Sequence, residues 1–78
     1  MNAHQRKLLK SLGWGELTFQ KLDGYNEVNC YRLTPIPGRS NRLAITTSGS
    51  KRDAEESMVH FVVQVVRDEA AQTAQAQA

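Results

Sequence analysis

Two adjacent basic residues, Lys51 and Arg52, follow a Gly-Ser pair and come just before a run with helical spacing. The first turn of a helix has unpaired backbone N–H groups and a partial positive charge, so cations there strengthen an anion-binding end. Tyr25, in an expected turn, has an aromatic face on which a base could stack. This pattern predicts binding to phosphates of a nucleic acid. The candidate contacts are Arg6, Lys7, Lys10, Tyr25, Arg39, Arg42, Lys51 and Arg52.

Charge is divided unevenly along the 78 residues. Residues 1–52 contain nine of the ten Lys and Arg with three acids, a net charge of +6. Residues 53–78 contain one Arg and five acids, a net charge of −4. A basic body can attract a polyanion while an acidic helix lies away from it. We therefore expect a nucleic-acid partner, RNA rather than DNA, provided that the basic residues share a face.

Residues that carry catalysis or bind metals are sparse. His4 and His60 lie far apart in the sequence, and Cys30 has no neighbouring histidine, so neither metal-ligand spacing nor a nucleophile–base pair is present. We expect no enzymatic activity, no cofactor and no metal. The lone cysteine, the lack of a secretory signal and the short apolar runs predict a cytoplasmic protein without membrane association.

Two helices are predicted, one near each end of the chain. A capping box at Asn2 begins the first helix, and Gly13 fits the left-handed position that ends it. The second helix begins after Ser50, and its apolar residues repeat at helical spacing. The β-branched residues of 58–66 leave a strand as the alternative for that run.

The segments between the helices alternate between apolar and polar residues, as strands of an antiparallel meander do. A turn at 23–26 separates the first two strands, and a proline-containing loop follows the second. In the second strand, either Val28 and Cys30 or Tyr31 and Leu33 face the core, and the pattern does not decide between them. The predicted strands are residues 16–22, 28–34 and 42–47.

The elements together predict an α+β fold in the order α-β-β-β-α. Two helices would pack on one face of a three-stranded antiparallel sheet. This single domain spans residues 1–68, and the Ala/Gln-rich tail of residues 69–78 either extends the last helix or is disordered. The core of such a short chain is small, so a partner or a dimer interface would add to its stability.

The start of the last helix resembles that of the double-stranded RNA-binding domain, which has the same element order. That family carries a Lys-Lys-x-Ala-Lys motif at this point. Lys51 and Arg52 match its basic pair, Ala54 matches its alanine, and Glu55 replaces its last lysine. The resemblance covers about residues 4–67. It implies that the basic pair contacts phosphates across the major groove of an RNA duplex.

The family also has a Gly-Pro-x-His loop between its first two strands. Gly24 matches the glycine, whereas Tyr25 and Glu27 occupy the positions of the proline and the histidine. The resemblance implies that this loop and the first helix contact successive minor grooves of the duplex. The missing histidine and the Glu55 replacement would weaken the two kinds of contact.

The N-terminal segment, residues 8–14, is also similar to the HicA-type toxins, which cleave mRNA. Those proteins have a Leu-rich helix, a Gly-Trp pair, a strand and then a Gly-Ser-His loop. Here residues 23–26 occupy the loop and contain no histidine. RNA hydrolysis needs a base with a pKa near neutrality, so nuclease activity is not expected.

A second class of function fits the same composition. A small basic domain without a catalytic set is typical of a phage or mobile-element protein that inhibits or adapts a host nucleic-acid-handling complex. The Val-rich run of residues 58–66 is also too wide to be buried entirely against one small sheet. An apolar patch left over there would predict a homodimer through the last helix.

Overall fold

The structure, a computed structural model, describes residues 1–77 of the chain. Two helices and three antiparallel strands follow one another in the order α-β-β-β-α, which confirms the predicted α+β fold. Ala78, the last residue of the predicted tail, lies outside the described residues. The elements are α1 (Ala3–Ser11), β1 (Trp14–Leu22), β2 (Tyr25–Arg32), β3 (Arg42–Thr47) and α2 (Lys51–Gln77).

The capping box predicted for α1 is present. Asn2 Oδ1 accepts a hydrogen bond from the Gln5 N–H at 2.8 Å, and Gln5 Oε1 accepts one from the Asn2 N–H at 3.2 Å. Gly13 has φ +87°, a left-handed conformation that turns the chain from α1 into β1. Trp14 follows directly and is fully buried with Leu9, so the helix end and the first strand are joined through the core.

The sheet has the order β1-β2-β3, and its register decides which side of β2 faces the helices. Cys30 lies opposite Leu17 on β1 and Leu43 on β3. Val28 and Cys30 are fully buried, whereas Tyr31 is 48% exposed. Of the two alternatives, Val28 and Cys30 therefore face the core, and Tyr31 lies on the opposite face of the sheet.

The connection between β1 and β2 is shorter than predicted. Only Asp23 and Gly24 form the turn, because the φ of +81° at Gly24 allows a two-residue reversal and Leu22 pairs at once with Tyr25. The expectation that Tyr25 belongs to the turn was wrong, since it is the first residue of β2. Its side chain still lies at the tip of the hairpin and is 42% exposed.

Residues 58–66 are helical, so the strand alternative for this run was wrong. Ala54, Met58 and Val62 repeat at helical spacing and are fully buried against the sheet. The free energy gained by burying this stripe outweighs the modest preference of valine for strands. The helix continues through the Ala/Gln-rich segment to Gln77 and is about 40 Å long.

The core lies between the sheet and the helices, which both pack on the same face. The other face of the sheet is open and carries Thr18, Tyr31, Arg42 and Ala44, all of them exposed. Three residues separate β3 from α2, which runs back along the sheet, so its two ends lie at opposite ends of the molecule. The buried apolar residues are Leu9, Trp14, Val28, Cys30, Leu43, Ala54, Met58 and Val62.

Candidate nucleic-acid interface

A groove of about 630 Å³ lies where the β1–β2 hairpin meets the start of α2. Two lysines and an exposed tyrosine, contributed by three different elements, line it: Lys21 from β1, Tyr25 from β2 and Lys51 from α2. We call it the lysine groove. Its other lining residues include Phe19, Asn26 and Gly49.

Local hydrogen bonds fix the walls of the lysine groove. Asn26 Nδ2 donates to the Gly49 carbonyl oxygen at 3.0 Å, which ties the hairpin to the β3–α2 loop. Ser50 Oγ accepts from the Asp53 N–H at 3.2 Å and so caps the first turn of α2. Lys51 Nζ lies 4.8 Å from the centroid of the Phe19 ring, a cation–π contact that orients the ammonium group.

The cations around the lysine groove are weakly paired. Within residues 1–77, neither Lys21 nor Lys51 forms an ion pair. The Arg52 side chain is 87% exposed, and its Nε lies 3.8 Å from Glu56 Oε1 one turn further along α2. Exposed pairs of this kind contribute little, about 0.3–0.5 kcal/mol. Asp53 is the acid in the first turn of α2 and offsets part of the positive charge.

The three cations of α1 are all exposed, but only one lies beside the start of α2. Arg6 lines a narrow groove together with Lys51, and its Nε is 3.9 Å from Glu16 Oε1 in an exposed pair. Lys7 and Lys10 lie further along α1 and line a different groove, at the opposite end of β1. The structure therefore brings Arg6 near Lys51 and places Lys10 away from it.

Arg39 lies at the other end of the molecule, in a set of ion pairs that we call the arginine cluster (Arg32, Arg39, Glu69 and Gln72). Arg39 Nη1 lies 3.4 Å from Glu69 Oε2 and donates to Gln72 Oε1 at 2.9 Å. Arg32 Nη2 donates to the same Glu69 oxygen at 2.5 Å. These α2 residues are about 27 Å along the helix from Lys51, so Arg39 does not share the lysine groove.

Arg32 is held by the arginine cluster more tightly than Arg39. Its side chain is only 6% exposed, and its guanidinium lies 4.5 Å from the centroid of the Trp14 ring. Arg32 Nε also donates to the Ser40 carbonyl oxygen at 2.8 Å. The expectation of an acidic segment that stays apart from the basic body is therefore not met at Glu69, which neutralises two arginines of that body.

Arg42 is on the open face of the sheet. It begins β3 opposite Tyr31, and the next residue, Leu43, is buried on the helix side. Since side chains alternate along a strand, Arg42 lies on the face away from both helices. The predicted basic residues are thus divided among the lysine groove, α1, the arginine cluster and the open face.

Comparisons with protein-family models, with curated proteins and with solved structures found no significant match. The resemblance to the double-stranded RNA-binding domain stays a prediction.

Sequence reasoning missed Lys21 as a site residue. It pairs with Asn26 in the hairpin, and Asn26 is the residue bonded to the loop before α2. The sequence feature that could have identified Lys21 is its position two residues before the Asp-Gly turn. In an antiparallel meander, that position lies at the same end of the sheet as the start of a helix that follows β3 directly.

Other chemistry is limited in the part of the chain that the structure describes. No group of three or more potential metal ligands occurs among these residues. Burial raises the pKa of the Cys30 thiol from 9.0 to about 11, against a smaller opposing effect of a hydrogen bond with the Tyr31 backbone. The thiol is therefore protonated at neutral pH and is a poor nucleophile. Neither helix within residues 1–77 combines the length and apolar character that a membrane span requires.

The Val-rich face of α2 is largely taken up by the core. Val62 is buried, and Val59, Val65 and Val66 are partly buried and pack against the core cluster. Phe61, 37% exposed, is the main apolar side chain of this run that projects outward. A homodimer through α2 stays a prediction.

Proposed function

We propose that the protein is a non-enzymatic module that binds structured RNA through the lysine groove and the first turn of α2. The observation that carries the proposal is the convergence of Lys21, Lys51 and Tyr25 beside a helix start at which Arg52 is exposed. Arg6 adds a fourth cation next to Lys51. The sequence separates these residues, and the fold gathers them at one end of the sheet.

The chemistry of these groups suits a phosphate backbone. Ammonium groups act as compact point charges toward phosphate, and the N–H groups of the first helical turn add donors without a charge of their own. Neutralising phosphates releases counterions, so affinity would fall steeply with salt. Tyr25, exposed at the tip of the hairpin that borders this groove, provides a stacking surface for a base that is not paired, as in an RNA loop or end.

The preference for RNA over DNA rests on the resemblance to the double-stranded RNA-binding domain. In that arrangement, α1 and the hairpin meet successive minor grooves, and the pair Lys51 and Arg52 meets phosphates across the intervening major groove. The family's last motif lysine has no counterpart here. Glu55 is buried and pairs with the amino group of Met1 at 2.6 Å, so this position joins the start of α1 to α2 instead.

The short hairpin also shapes the expected contact. A two-residue turn at Asp23 and Gly24 projects less than a loop would, so the hairpin offers mainly the side chains of Lys21 and Tyr25. We expect binding to be weaker than for a domain with a full loop and to depend mostly on charge. Its specificity would come from the A-form shape of the duplex rather than from base sequence.

The test is fluorescence anisotropy with a labelled RNA duplex of about 20 base pairs, longer than the ~16 that such domains span. A DNA duplex and single strands are compared at low and moderate salt. Lys51→Ala/Arg52→Ala is expected to weaken RNA binding by about tenfold and to flatten the salt dependence by about two units of slope. The matched control, Arg42→Ala/Arg67→Ala, removes the same charge from the open face of the sheet and from an exposed position on α2, and is expected to change affinity by less than about threefold.

Two outcomes would contradict the proposal. One is a dissociation constant above ~100 µM for every nucleic acid at low salt, which is no tighter than non-specific binding. The other is equal weakening by the two double variants, which would mean that net charge alone governs the interaction.

A further inference from the structure

A second groove, of about 480 Å³, lies between α1, the start of β1 and Leu33, and it shares no lining residue with the lysine groove. Leu33 lines this groove and is 54% exposed, so the groove contains an apolar side chain that is open to solvent. We call it the leucine groove. Its lining residues include Arg6, Lys7, Lys10, Gly15, Glu16 and Leu33.

The exposed leucine is held in place by its backbone. The Leu33 N–H donates to the Gly13 carbonyl oxygen at 2.9 Å, immediately after β2 ends. Beneath it, Gly15 lacks a side chain, and a Cβ there would lie 3.5 Å from Leu33 Cδ2. Leu33 thus lies beside Gly15 of β1, and 54% of its surface stays open to an apolar side chain of a partner.

More apolar surface continues from Leu33 around the same end of the molecule. An adjoining groove of about 310 Å³ is lined by Leu12, Leu33 and Ile36, and Ile36 is 46% exposed. Exposed large apolar residues that lie singly need no explanation, but neighbouring ones often mark an interaction surface. Leu33 is shared by both grooves, which makes it the centre of this surface.

The rim of the leucine groove is basic. Arg6, Lys7 and Lys10 line it along α1, and Glu16 is the acid among its lining residues. The long stems of lysine can cover apolar surface while their ammonium groups stay in water. An occupant that matches both features needs an apolar side chain at its centre and carboxylates on either side. A nucleic-acid backbone would match the rim but has no apolar side chain for Leu33.

We propose that the leucine groove binds an acidic segment of a partner protein, with one large apolar side chain of that segment packed against Leu33. The basic rim complements the charge of such a segment, and Leu33 provides the apolar contact. The size of the groove fits a short peptide, since it lies in the lower part of the ~300–1,000 Å³ range of sites for small molecules. The nine residues of α1 extend for about 13 Å, which is enough for two or three turns of a helix or a short extended segment.

This site differs from the lysine groove but adjoins the proposed RNA site, because α1 and Arg6 border both. Lys51, Arg52 and Tyr25 do not line the leucine groove, and Leu33 does not line the lysine groove. A peptide that contacts only Leu33, Lys7 and Lys10 leaves Lys51 and Arg52 free, whereas RNA that also contacts α1 would compete with it. Arg6 is the residue between the two sites, because it lines the leucine groove and also the narrow groove beside Lys51.

The test is a selection of displayed random peptides of about 12 residues on the immobilised protein, with counter-selection on Leu33→Ser. Synthetic copies of the enriched peptides are then titrated by anisotropy. We expect an apolar residue flanked by at least two acids, and affinity at least about tenfold lower for Leu33→Ser and for Lys7→Glu/Lys10→Glu. Lys51→Ala/Arg52→Ala is expected to bind the peptides as the wild type does, which separates this site from the RNA site.

Two results would overturn the inference. They are enriched peptides without acidic residues and peptide binding that Leu33→Ser leaves unchanged. A concentration-dependent dimer that buries Leu33 would also overturn it, in favour of a second copy of this chain. Circular dichroism checks that each variant folds, and Leu33→Ala replaces Leu33→Ser if that variant does not.

Discussion

The two ends of α2 use basic residues in opposite ways. At its start, Lys51 and Arg52 face solvent, and the contact with Phe19 and the exposed pair with Glu56 are weak. Toward its C-terminal part, Arg32 is buried against Trp14 and both Arg32 and Arg39 pair with Glu69. One end therefore has charge to offer a ligand, whereas the other uses charge to hold the helix to the β2–β3 loop.

The comparison shows why a count of basic residues is a poor guide to a binding surface. A guanidinium that already has a carboxylate partner and a carbonyl acceptor gains little from a phosphate, because the existing bonds must be broken first. A solvated lysine loses only bound water when it contacts a phosphate. The environment of each cation, more than its residue type, decides whether it belongs to the fold or to a ligand.

The largest expected effect comes from removing the anion of the arginine cluster. Glu69→Ala leaves the guanidinium of Arg32, 6% exposed, without its carboxylate. We expect the free energy of unfolding to fall by about 3 kcal/mol, as for other buried pairs that lose one partner. Urea denaturation measures this. The control is Glu56→Ala, which removes the exposed partner of Arg52 and should cost no more than about 0.5 kcal/mol. Equal losses of stability in the two variants would mean that the ion pairs at the two ends of α2 contribute equally to the fold.

The second effect concerns Cys30, a fully buried residue of the central strand. The unfolded chain loses the thiol proton near pH 9.0, whereas the folded protein keeps it until about pH 11. Stability is therefore retained below pH 9 and falls by about 2 kcal/mol as the pH rises through this window. Urea midpoints between pH 8 and about 11 measure the fall, and Cys30→Ala should show a shallower one. If the two ends of α2 and the core unfold as one cooperative unit, both ends should lose structure at the same urea concentration.

The third effect compares single lysines and arginines in RNA binding. Lys21→Ala and Lys51→Ala are each expected to weaken binding by about three- to tenfold, because each removes a contact to phosphate. Arg39→Ala is expected to change it by less than about twofold, because Arg39 already pairs with Glu69. Anisotropy at one fixed salt concentration measures all three. If Arg39→Ala weakens RNA binding more than Lys21→Ala does, the RNA interface lies at the arginine cluster and not at the lysine groove.

The smallest expected effect concerns the exposed ion pair at the start of α2. Glu56→Gln removes the acid that lies 3.8 Å from Arg52. We expect duplex RNA to bind about twofold more tightly, because a competing carboxylate and its repulsion of phosphate are both removed. Stability should change by less than about 0.5 kcal/mol. Weaker RNA binding by this variant would show that the ion pair positions Arg52 instead of competing for it.

Much of the fold could be predicted from particular residues. The helix ends depend on residues close together in the chain, and these local signals act as expected. They are the pair Asn2 and Gln5, the single Gly13, and the pair Ser50 and Asp53. The boundaries of β2 were less predictable. The turn at Asp23 and Gly24 is tight only because Leu22 and Tyr25 pair across it, and pairing is a property of both strands together.

The candidate site was only partly predictable. Lys51 and Arg52 stand out in the sequence because the helix start that presents them is a local feature. Lys21 does not, since its closeness to Lys51 depends on the register of the hairpin and on the bond between Asn26 and Gly49. Arg39 was misleading for the same reason, because its partner Glu69 is thirty residues away in the chain.

The sequence by itself determined the element order, the capping of both helices and the imbalance of charge, since these follow from neighbouring residues and composition. The tertiary structure decided which face of β2 is buried, that residues 58–66 are helical, and which cations are paired. It also decided that Leu33 stays exposed on a basic rim. Such outcomes depend on distances between residues far apart in the chain, and a burial or pairing free energy exists only once the fold has brought them together.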